Sequence, residues 1–293
     1  MEKTDRQIDF KRRLEVKEVV LTVAGSDSGG GAGIQADLRT FAALGVFGTS
    51  AIAAVTAQNP ENVRSIFPLP AEMVSDQIRA VTEAFPLKAV KTGMLFSSSI
   101  MEALAEFLPS FSCPVVVDPV MISTSGKALM REDALLCLRE KVLPHASYMT
   151  PNIPEAEFLT GEKISSEEDM KKVARRCGEK FHCSVIVKGG HASGNELVPD
   201  VFWHEGEFLI LRSPRCPVTG REDHGTGCTL SSAFAALLAK GFCWYEAAEK
   251  AKIFVLASLL GAVRLAPSGL MGMYPPSADV LAQAEKMVKC EKG

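Results

Sequence analysis

The sequence has no paired cysteines, no excess of basic residues and no long apolar run, and each absence argues against one class of protein. None of its eight cysteines belongs to a Cys-x-x-Cys pair, so a zinc knuckle is not expected. A formal net charge of −3 offers no basic surface to a nucleic-acid backbone. The most apolar stretch, residues 254–263, is far shorter than the roughly 20 residues that span a bilayer. We therefore expect no nucleic-acid partner and no membrane association.

The first eighteen residues lack the apolar segment of a secretory signal, and their acidic residues argue against an organellar presequence. We expect residues 1–18 to form a charged, solvated tail. The remaining residues, 19–293, are expected to fold as one domain, because open α/β sheets often use this many residues. Scattered cysteines in a chain this long are typical of reduced cytosolic proteins, so a cytoplasmic location is expected.

Short β-branched runs alternate with longer stretches of helical period, which predicts an α/β fold. The predicted form is a doubly wound, mostly parallel central sheet with helices on both faces. The clearest predicted strands are 19–24, 89–91, 115–118 and 185–188, and the first predicted helices are 34–44 and 71–85. Ligands of such sheets bind beyond the carboxyl ends of the strands.

The C-terminal third has a different pattern. Residues 198–211 alternate polar and apolar positions around Glu205 and Gly206, which predicts an antiparallel hairpin closing one edge of the sheet. Helices are predicted at 226–240 and 245–265, and a peripheral helix at 278–289.

A glycine-rich segment, Ala24-Gly-Ser-Asp-Ser-Gly-Gly-Gly-Ala-Gly33, joins the first predicted strand to the first predicted helix. Its glycines would let the backbone approach a ligand closely at a helix start. It matches neither G-x-G-x-x-G nor G-x-x-x-x-G-K-[ST], so neither a dinucleotide site nor a P-loop is indicated. A merely tight turn is the alternative.

A second glycine-rich segment, His224-Gly-Thr-Gly-Cys228, opens the helix predicted at 226–240. The N–H groups of Gly225, Thr226 and Gly227 would face an anion, and the helix dipole would favour a transferring phosphoryl group there. Cys228 lies in the first helical turn, where the dipole is expected to lower its thiol pKa and make it a proton acceptor. A simple helix cap with a buried cysteine is the alternative.

Charged and amide side chains follow other predicted strands. Lys188 comes at a strand end before two glycines, where its charge suits phosphate oxygens. Asp118, Asn152 and Glu155 also follow strands, and their oxygens suit Mg²⁺. Helix capping by Asn152 and Glu155 is the alternative, and local sequence favours it.

These segments together resemble the hydroxymethylpyrimidine and phosphomethylpyrimidine kinases of thiamine biosynthesis, in the ribokinase-like superfamily. The matching stretches occur in the family's order and cover most of residues 20–240: AGSDSGGGAGIQADL, AVTAQN, KTGML, DPVM, TPNIPEAEFL, VKGGH and HGTGCTLSSA. The resemblance implies ATP and Mg²⁺ as cofactors, with the ATP phosphates at HGTGC.

The resemblance also implies roles for individual residues. It implies a pyrimidine site, in which the Gln58 amide pairs with the ring edge while Met94, Ala32 and Gly25 surround the ring. It puts Asp37 near the substrate. The same comparison puts Asp118, Asn152 and Glu155 at the metal and phosphates, and Lys188 and Cys228 in catalysis, the latter where sugar-kinase relatives use an aspartate.

The function that the resemblance implies is phosphorylation of 4-amino-5-hydroxymethyl-2-methylpyrimidine and then of its monophosphate, by a homo-oligomeric enzyme. A pyridoxal or pyridoxine kinase of the same superfamily is one alternative. A non-catalytic pyrimidine-binding protein is the other, and Lys188, Asp118 and Cys228 together argue against it, because a pure binder needs no proton acceptor.

Overall fold

A ten-stranded sheet runs through the part of the chain that the computed structural model describes, residues 16–121, 132–191, 196–217, 219–221 and 223–293. In chain order its strands are β1 (Val19–Asp27), β2 (Phe47–Gln58), β3 (Val63–Pro68), β4 (Leu87–Thr92), β5 (Val115–Val117), β6 (Tyr148–Met149), β7 (Ser184–Lys188), β8 (Leu197–His204), β9 (Glu207–Pro214) and β12 (Lys289–Lys292). A separate two-stranded ribbon pairs β10 (Val263–Arg264) with β11 (Met271–Gly272).

The centre of the sheet is parallel and its two sides are antiparallel. The strand order is β12-β9-β8-β7-β6-β5-β4-β1-β2-β3. All pairs from β7 through β2 are parallel, whereas β3 and the group β8, β9 and β12 pair antiparallel. The carboxyl ends of the parallel strands therefore share one edge of the sheet.

Helices cover both faces of this sheet. They are α1 (Gly33–Ala43), α2 (Ala71–Ala84), α3 (Ser98–Ala105), α4 (Glu132–Cys137, continued by a π-helical turn over Leu138–Val142), α5 (Ile153–Thr160), α6 (Glu167–Phe181), α7 (Thr226–Ala239), α8 (Trp244–Leu260) and α9 (Ala278–Met287). None of the helices in the described ranges has the length and apolarity to cross a membrane.

Alternate residues of the central strands enter two different apolar clusters. Along β1, Leu21 and Val23 pack into one cluster and Val20 into the other. The first cluster includes side chains of α2, α3 and α6, and the second includes Phe41 of α1, Phe234 of α7 and residues of α8. This period of two buries both faces of the sheet, as a doubly wound fold requires. The predicted fold class is confirmed.

Three features of the sheet differ from the sequence-based expectation. Strands β2 and β3 were not predicted. The hairpin of β8 and β9 is present with its turn at Glu205 and Gly206, but the prediction that it closes the sheet edge is wrong, because β12 pairs with β9 beyond it. The last helix ends at Met287, and the chain then continues into β12. Residues 1–15 of the predicted tail lie outside the described residues.

Candidate active site

A cavity of about 790 Å³ opens at the carboxyl ends of the parallel strands, beside the N-terminus of α7. Twelve of the thirteen residues proposed for the site from the sequence line this cavity: Gly25, Ala32, Gln58, Met94, Asp118, Asn152, Glu155, Lys188, Gly225, Thr226, Gly227 and Cys228. The exception is Asp37. The fold therefore gathers segments that are far apart in the chain into one pocket.

Asp27, the last residue of β1, organises the first glycine-rich loop. Its carboxylate oxygens accept hydrogen bonds from the N–H groups of Gly29 and Ala32, both at 2.8 Å. Burial alone raises the pKa of Asp27, but hydrogen bonds from His224, Ala32 and Gly29 outweigh burial and hold it below its usual value. Asp27 is therefore ionised at neutral pH.

The cavity wall includes an apolar slot, formed by Gly25 and Met94, and the side-chain amide of Gln58. Met94 is buried there, and a Cβ atom at position 25 would lie 2.4 Å from Met94 Cε, so the close approach requires Gly25. Gln58 ends β2, and its side-chain amide lies between Thr56 Oγ1 at 3.2 Å and His224 Nε2 at 3.3 Å. A paired donor and acceptor thus stand beside an apolar slot.

The turn that begins α7 also lines the cavity. Gly225 has a φ of +87°, and a Cβ there would lie 1.9 Å from Gly31 O, so the two glycine-rich segments touch. A helix of 14 residues follows, and its first N–H groups carry partial positive charge. The Thr226 N–H donates to Asp223 O at 3.2 Å, so it is engaged within the turn rather than with the cavity.

Lys188 brings a positive charge beneath this turn. Its Nζ donates to Asp118 Oδ1 at 2.7 Å, and a Cβ at position 227 would lie 3.2 Å from the same nitrogen. Burial lowers the pKa of Lys188, but the carboxylates of Asp118 and Glu155 outweigh burial and raise it. The ammonium is therefore charged at neutral pH and next to the start of α7.

Asn152 and Glu155 form a capping box at the start of α5. Asn152 Oδ1 accepts from Glu155 N at 2.9 Å, and Glu155 Oε2 accepts from Asn152 N at 2.8 Å. Burial, reinforced by repulsion from Asp118, raises the pKa of Glu155 to about 7. The capping interpretation is correct, and both residues still line the cavity. Among the described residues, no three or more His, Cys, Asp or Glu side chains are grouped to hold a metal.

Cys228 differs from expectation in its ionisation. Burial raises the pKa of its thiol to about 11, although the Lys91 ammonium acts in the opposite direction. The prediction of a lowered thiol pKa is therefore wrong, because loss of solvent outweighs the favourable charge and the helix start. All eight cysteines lie in the described residues, and none forms a disulfide.

Asp37 lies behind the cavity wall instead of facing a substrate. It is fully buried, and its carboxylate accepts hydrogen bonds from Lys91 at 2.9 and 3.0 Å, from Thr22 at 2.7 Å and from Ser232 at 2.6 Å. With its oxygens occupied, it has no face toward the pocket. The residue that lines the cavity at this point is Lys91.

The family model of phosphomethylpyrimidine kinases matches residues 27–271, which is most of the chain. The matched range includes all the site residues named above except Gly25. The chain belongs to this kinase family.

Relatives and structures agree with this assignment. The chain is 47% identical over 248 residues to the hydroxymethylpyrimidine/phosphomethylpyrimidine kinase of Rhizobium meliloti, covering 84% of this chain and 92% of that protein. The crystal structure of phosphomethylpyrimidine kinase from Clostridium difficile 630 is 41% identical, with a TM-score of 0.72 over 82% of this chain and 98% of that one. Pyridoxal kinase from Staphylococcus aureus in complex with ADP is 30% identical, with a TM-score of 0.82 over 95% and 100%.

In this phosphomethylpyrimidine kinase family member, Asp27 and His224 are among the pocket residues that were not predicted from the sequence. Both residues belong to the glycine-rich motifs, but neither was assigned a role. Both line the cavity, and His224 Nε2 lies 3.0 Å from Asp27 Oδ2. An aspartate followed by glycines is a known turn signal and could have identified Asp27 as a loop organiser. Their contact joins positions 197 residues apart, which local pattern does not encode.

Proposed function

We propose that this kinase transfers the γ-phosphoryl group of ATP to the hydroxyl of 4-amino-5-hydroxymethyl-2-methylpyrimidine, and then a second phosphoryl group to the monophosphate. The observation that supports this most is that one cavity is lined both by the apolar slot with Gln58 and by the N-terminal turn of α7, a position that suits a phosphate. Gln58 and Met94 lie at the slot, and Lys188 and the α7 turn lie at the phosphate end. A hydroxymethyl group on the ring would then point along the cavity toward the phosphates.

The phosphoryl group would be held by backbone N–H groups at the start of α7 and by Lys188. Such phosphoryl transfer depends on positioning and charge neutralisation more than on covalent chemistry. The ammonium of Lys188 is already held by Asp118 at 2.7 Å, so it needs little reorganisation when ATP binds.

The donor set at this end fits a mostly hydrated Mg²⁺. Asp118 and Glu155 offer hard oxygen ligands, and Mg²⁺ in kinase sites keeps several waters and takes only one or two carboxylates. Asp118 and Glu155 would hold the ion, and Asn152 would act through the capping box that positions Glu155. When bound, the ion would neutralise charge on the phosphates.

Cys228 is the proposed proton acceptor for the hydroxymethyl group. It lines the cavity next to Gly227, and the Lys91 ammonium favours the thiolate electrostatically. A base of high pKa is a strong acceptor, but only a small fraction of the thiol is ionised at neutral pH. We therefore expect activity to rise with pH across the neutral range.

Pyridoxal phosphorylation is the second candidate, favoured by the TM-score of 0.82 to a pyridoxal kinase. The higher identity to pyrimidine kinases, 47% and 41% against 30%, supports the pyrimidine as the main substrate. The homo-oligomer and the cytoplasmic location stay predictions.

Incubation with ATP and each of four candidate acceptors, scored by product mass, tests the proposal: the pyrimidine alcohol, its monophosphate, pyridoxal and pyridoxine. We expect pyrimidine mono- and diphosphate. Gln58→Ala should weaken pyrimidine binding by about 1–3 kcal/mol while ATP binding barely changes, because only the ring edge loses its partner. Pyridoxal phosphate as the sole product, or equal losses for both ligands by calorimetry, would contradict the proposal.

A further inference from the structure

We infer that His224, held by Asp27, is a positioning residue for the Gln58 amide. It fixes which side of the pocket the amide oxygen faces, and the enzyme therefore selects a substrate with an amino group beside the hydroxymethyl group. The inference rests on the proposed function, in which Gln58 contacts the ring. His224 would thus influence the choice of substrate without contacting the ring itself.

The surroundings of the two ring nitrogens of His224 decide which of them carries a hydrogen. His224 Nε2 lies 3.0 Å from Asp27 Oδ2, and both side chains are buried. Asp27 is an ionised acceptor, so Nε2 carries the hydrogen that points at it. The other nitrogen, Nδ1, is buried without a hydrogen-bond partner among the described residues, and a hydrogen there would be an unpaired donor. Both observations place a hydrogen on Nε2 rather than on Nδ1.

The Gln58 amide lies between His224 and Thr56. The amide nitrogen, Nε2 of Gln58, is placed 3.3 Å from His224 Nε2, which in this tautomer has its one hydrogen directed at Asp27 and no lone pair for an amide N–H. The amide oxygen is 3.2 Å from Thr56 Oγ1, whose single hydrogen is donated to Ser26 O at 2.9 Å. Thr56 therefore faces the amide with lone pairs. An amide N–H therefore has no acceptor at His224 but has one at Thr56. A half-turn of the amide about Cγ–Cδ exchanges its two ends, so that the nitrogen donates to Thr56 and the oxygen lies at His224, where it can share the Nε2 hydrogen with Asp27.

The orientation of the Gln58 amide decides which ring substituent it can bind. The accepting oxygen of Gln58 stands on the side of His224, next to Gly225 and the phosphate end, and the donating N–H stands on the side of Thr56. The reactive hydroxymethyl group points to the phosphate end, so the ring substituent beside it meets an acceptor. An amino group there forms a hydrogen bond, and the next ring nitrogen accepts from the amide N–H. An oxygen at that position, as in a 4-oxopyrimidine or the aldehyde of pyridoxal, would face another oxygen.

The test is the ratio of kcat/KM for the 4-aminopyrimidine alcohol to that for its 4-oxo analogue, because general damage to the site lowers both values equally. His224→Asn removes the donor at the Nε2 position and should lower the ratio about tenfold, the worth of one mismatched hydrogen bond of about 1.4 kcal/mol. His224→Gln, whose amide nitrogen reaches about as far as Nε2, should keep the ratio within about threefold. Thr56→Val should lower the ratio as well, and it provides a second variant should His224→Asn fail to fold.

Ser28→Ala is the matched control, because the Ser28 hydroxyl bonds only the backbone of Gln58 and not its amide. Its ratio should equal that of the parent. An unchanged ratio in both His224→Asn and Thr56→Val, with Gln58→Ala abolishing the discrimination, would overturn the inference and leave the proposed function intact. A ratio that Gln58→Ala does not move would instead contradict the ring-binding role of Gln58, and with it the proposed function.

Discussion

Single residues at the reacting end of the cavity are linked by buried charges. The Lys91–Asp37 pair is completely buried, and Thr22 and Ser232 complete the hydrogen bonds of the carboxylate. Burial lowers the pKa of Lys91, but Asp37 and, to a smaller extent, Cys228 and Asp118 outweigh burial and raise it. Removing one partner of such a pair leaves an uncompensated buried charge. Asp37 thus holds the Lys91 ammonium in the cavity wall.

The proposed role of Cys228 as proton acceptor can be tested by substitution. If its thiolate accepts the hydroxymethyl proton, Cys228→Ala should lower kcat by about 10²–10⁴-fold, the usual contribution of a positioned general base, while substrate binding survives. Cys228→Asp should recover part of the loss, because a carboxylate can also accept the proton. Steady-state kinetics at saturating ATP, from pH 6 to pH 9, gives the measurement. A Cys228→Ala enzyme within about threefold of the parent would assign catalysis to the backbone cradle alone.

Helices and strands were predictable to different degrees. Helices α1 and α2, which have an apolar face, and α7, which is buried on nearly all sides, were predicted within one residue of their observed ends. Strands β2 and β3 were missed because their hydrophobicity does not follow their burial: β2 buries the small Ala51 and exposes Val55, and β3 exposes Phe67. Strand β12 was missed because its four residues are exposed and mostly charged, and only pairing with β9 makes them a strand.

The capping box of α5 supports a prediction at the scale of one helix. The pKa of Glu155 is about 7 in the folded protein against an ordinary 4.5, so the folded state holds the proton more tightly than the unfolded state. This stability is present below about pH 4.5 and is lost as the pH rises through 7. Glu155→Gln cannot ionise, so the free energy of unfolding of the variant minus that of the parent should increase between pH 5 and pH 8, by up to about 3 kcal/mol.

Urea unfolding without Mg²⁺ or nucleotide measures this difference. Glu157→Gln, on the same helix, is the control: a hydrogen bond from Lys163 and another from Ile164 N hold the pKa of Glu157 below its usual value. Its difference from the parent should not rise over this range. A flat profile for Glu155→Gln would contradict the raised pKa.

The whole molecule brings the site together from loops that the sequence presents separately. Motif spacing predicted that the loops follow strands, and the parallel sheet places those strand ends at one edge. Which side chains meet across loops was not predictable, as the Asp27–His224 contact and the buried position of Asp37 show. Both depend on how α1 and α7 pack side by side above β1 and β4, and this packing arises from long-range burial rather than from local pattern.

One continuous cavity with separate ring and phosphate ends predicts that the two substrates bind together. Because each ligand binds only the folded protein, each should raise the free energy of unfolding by about 2.7 kcal/mol at one hundred times its Kd. A non-hydrolysable ATP analogue and the pyrimidine added together should then stabilise the protein by about twice as much, since their contacts lie at different ends. Gln58→Ala should keep the stabilisation by the ATP analogue and lose part of that by the pyrimidine. Thermal unfolding with either ligand and with both gives the comparison, and a second ligand that adds no stabilisation would mean that the two compete for one place in the cavity.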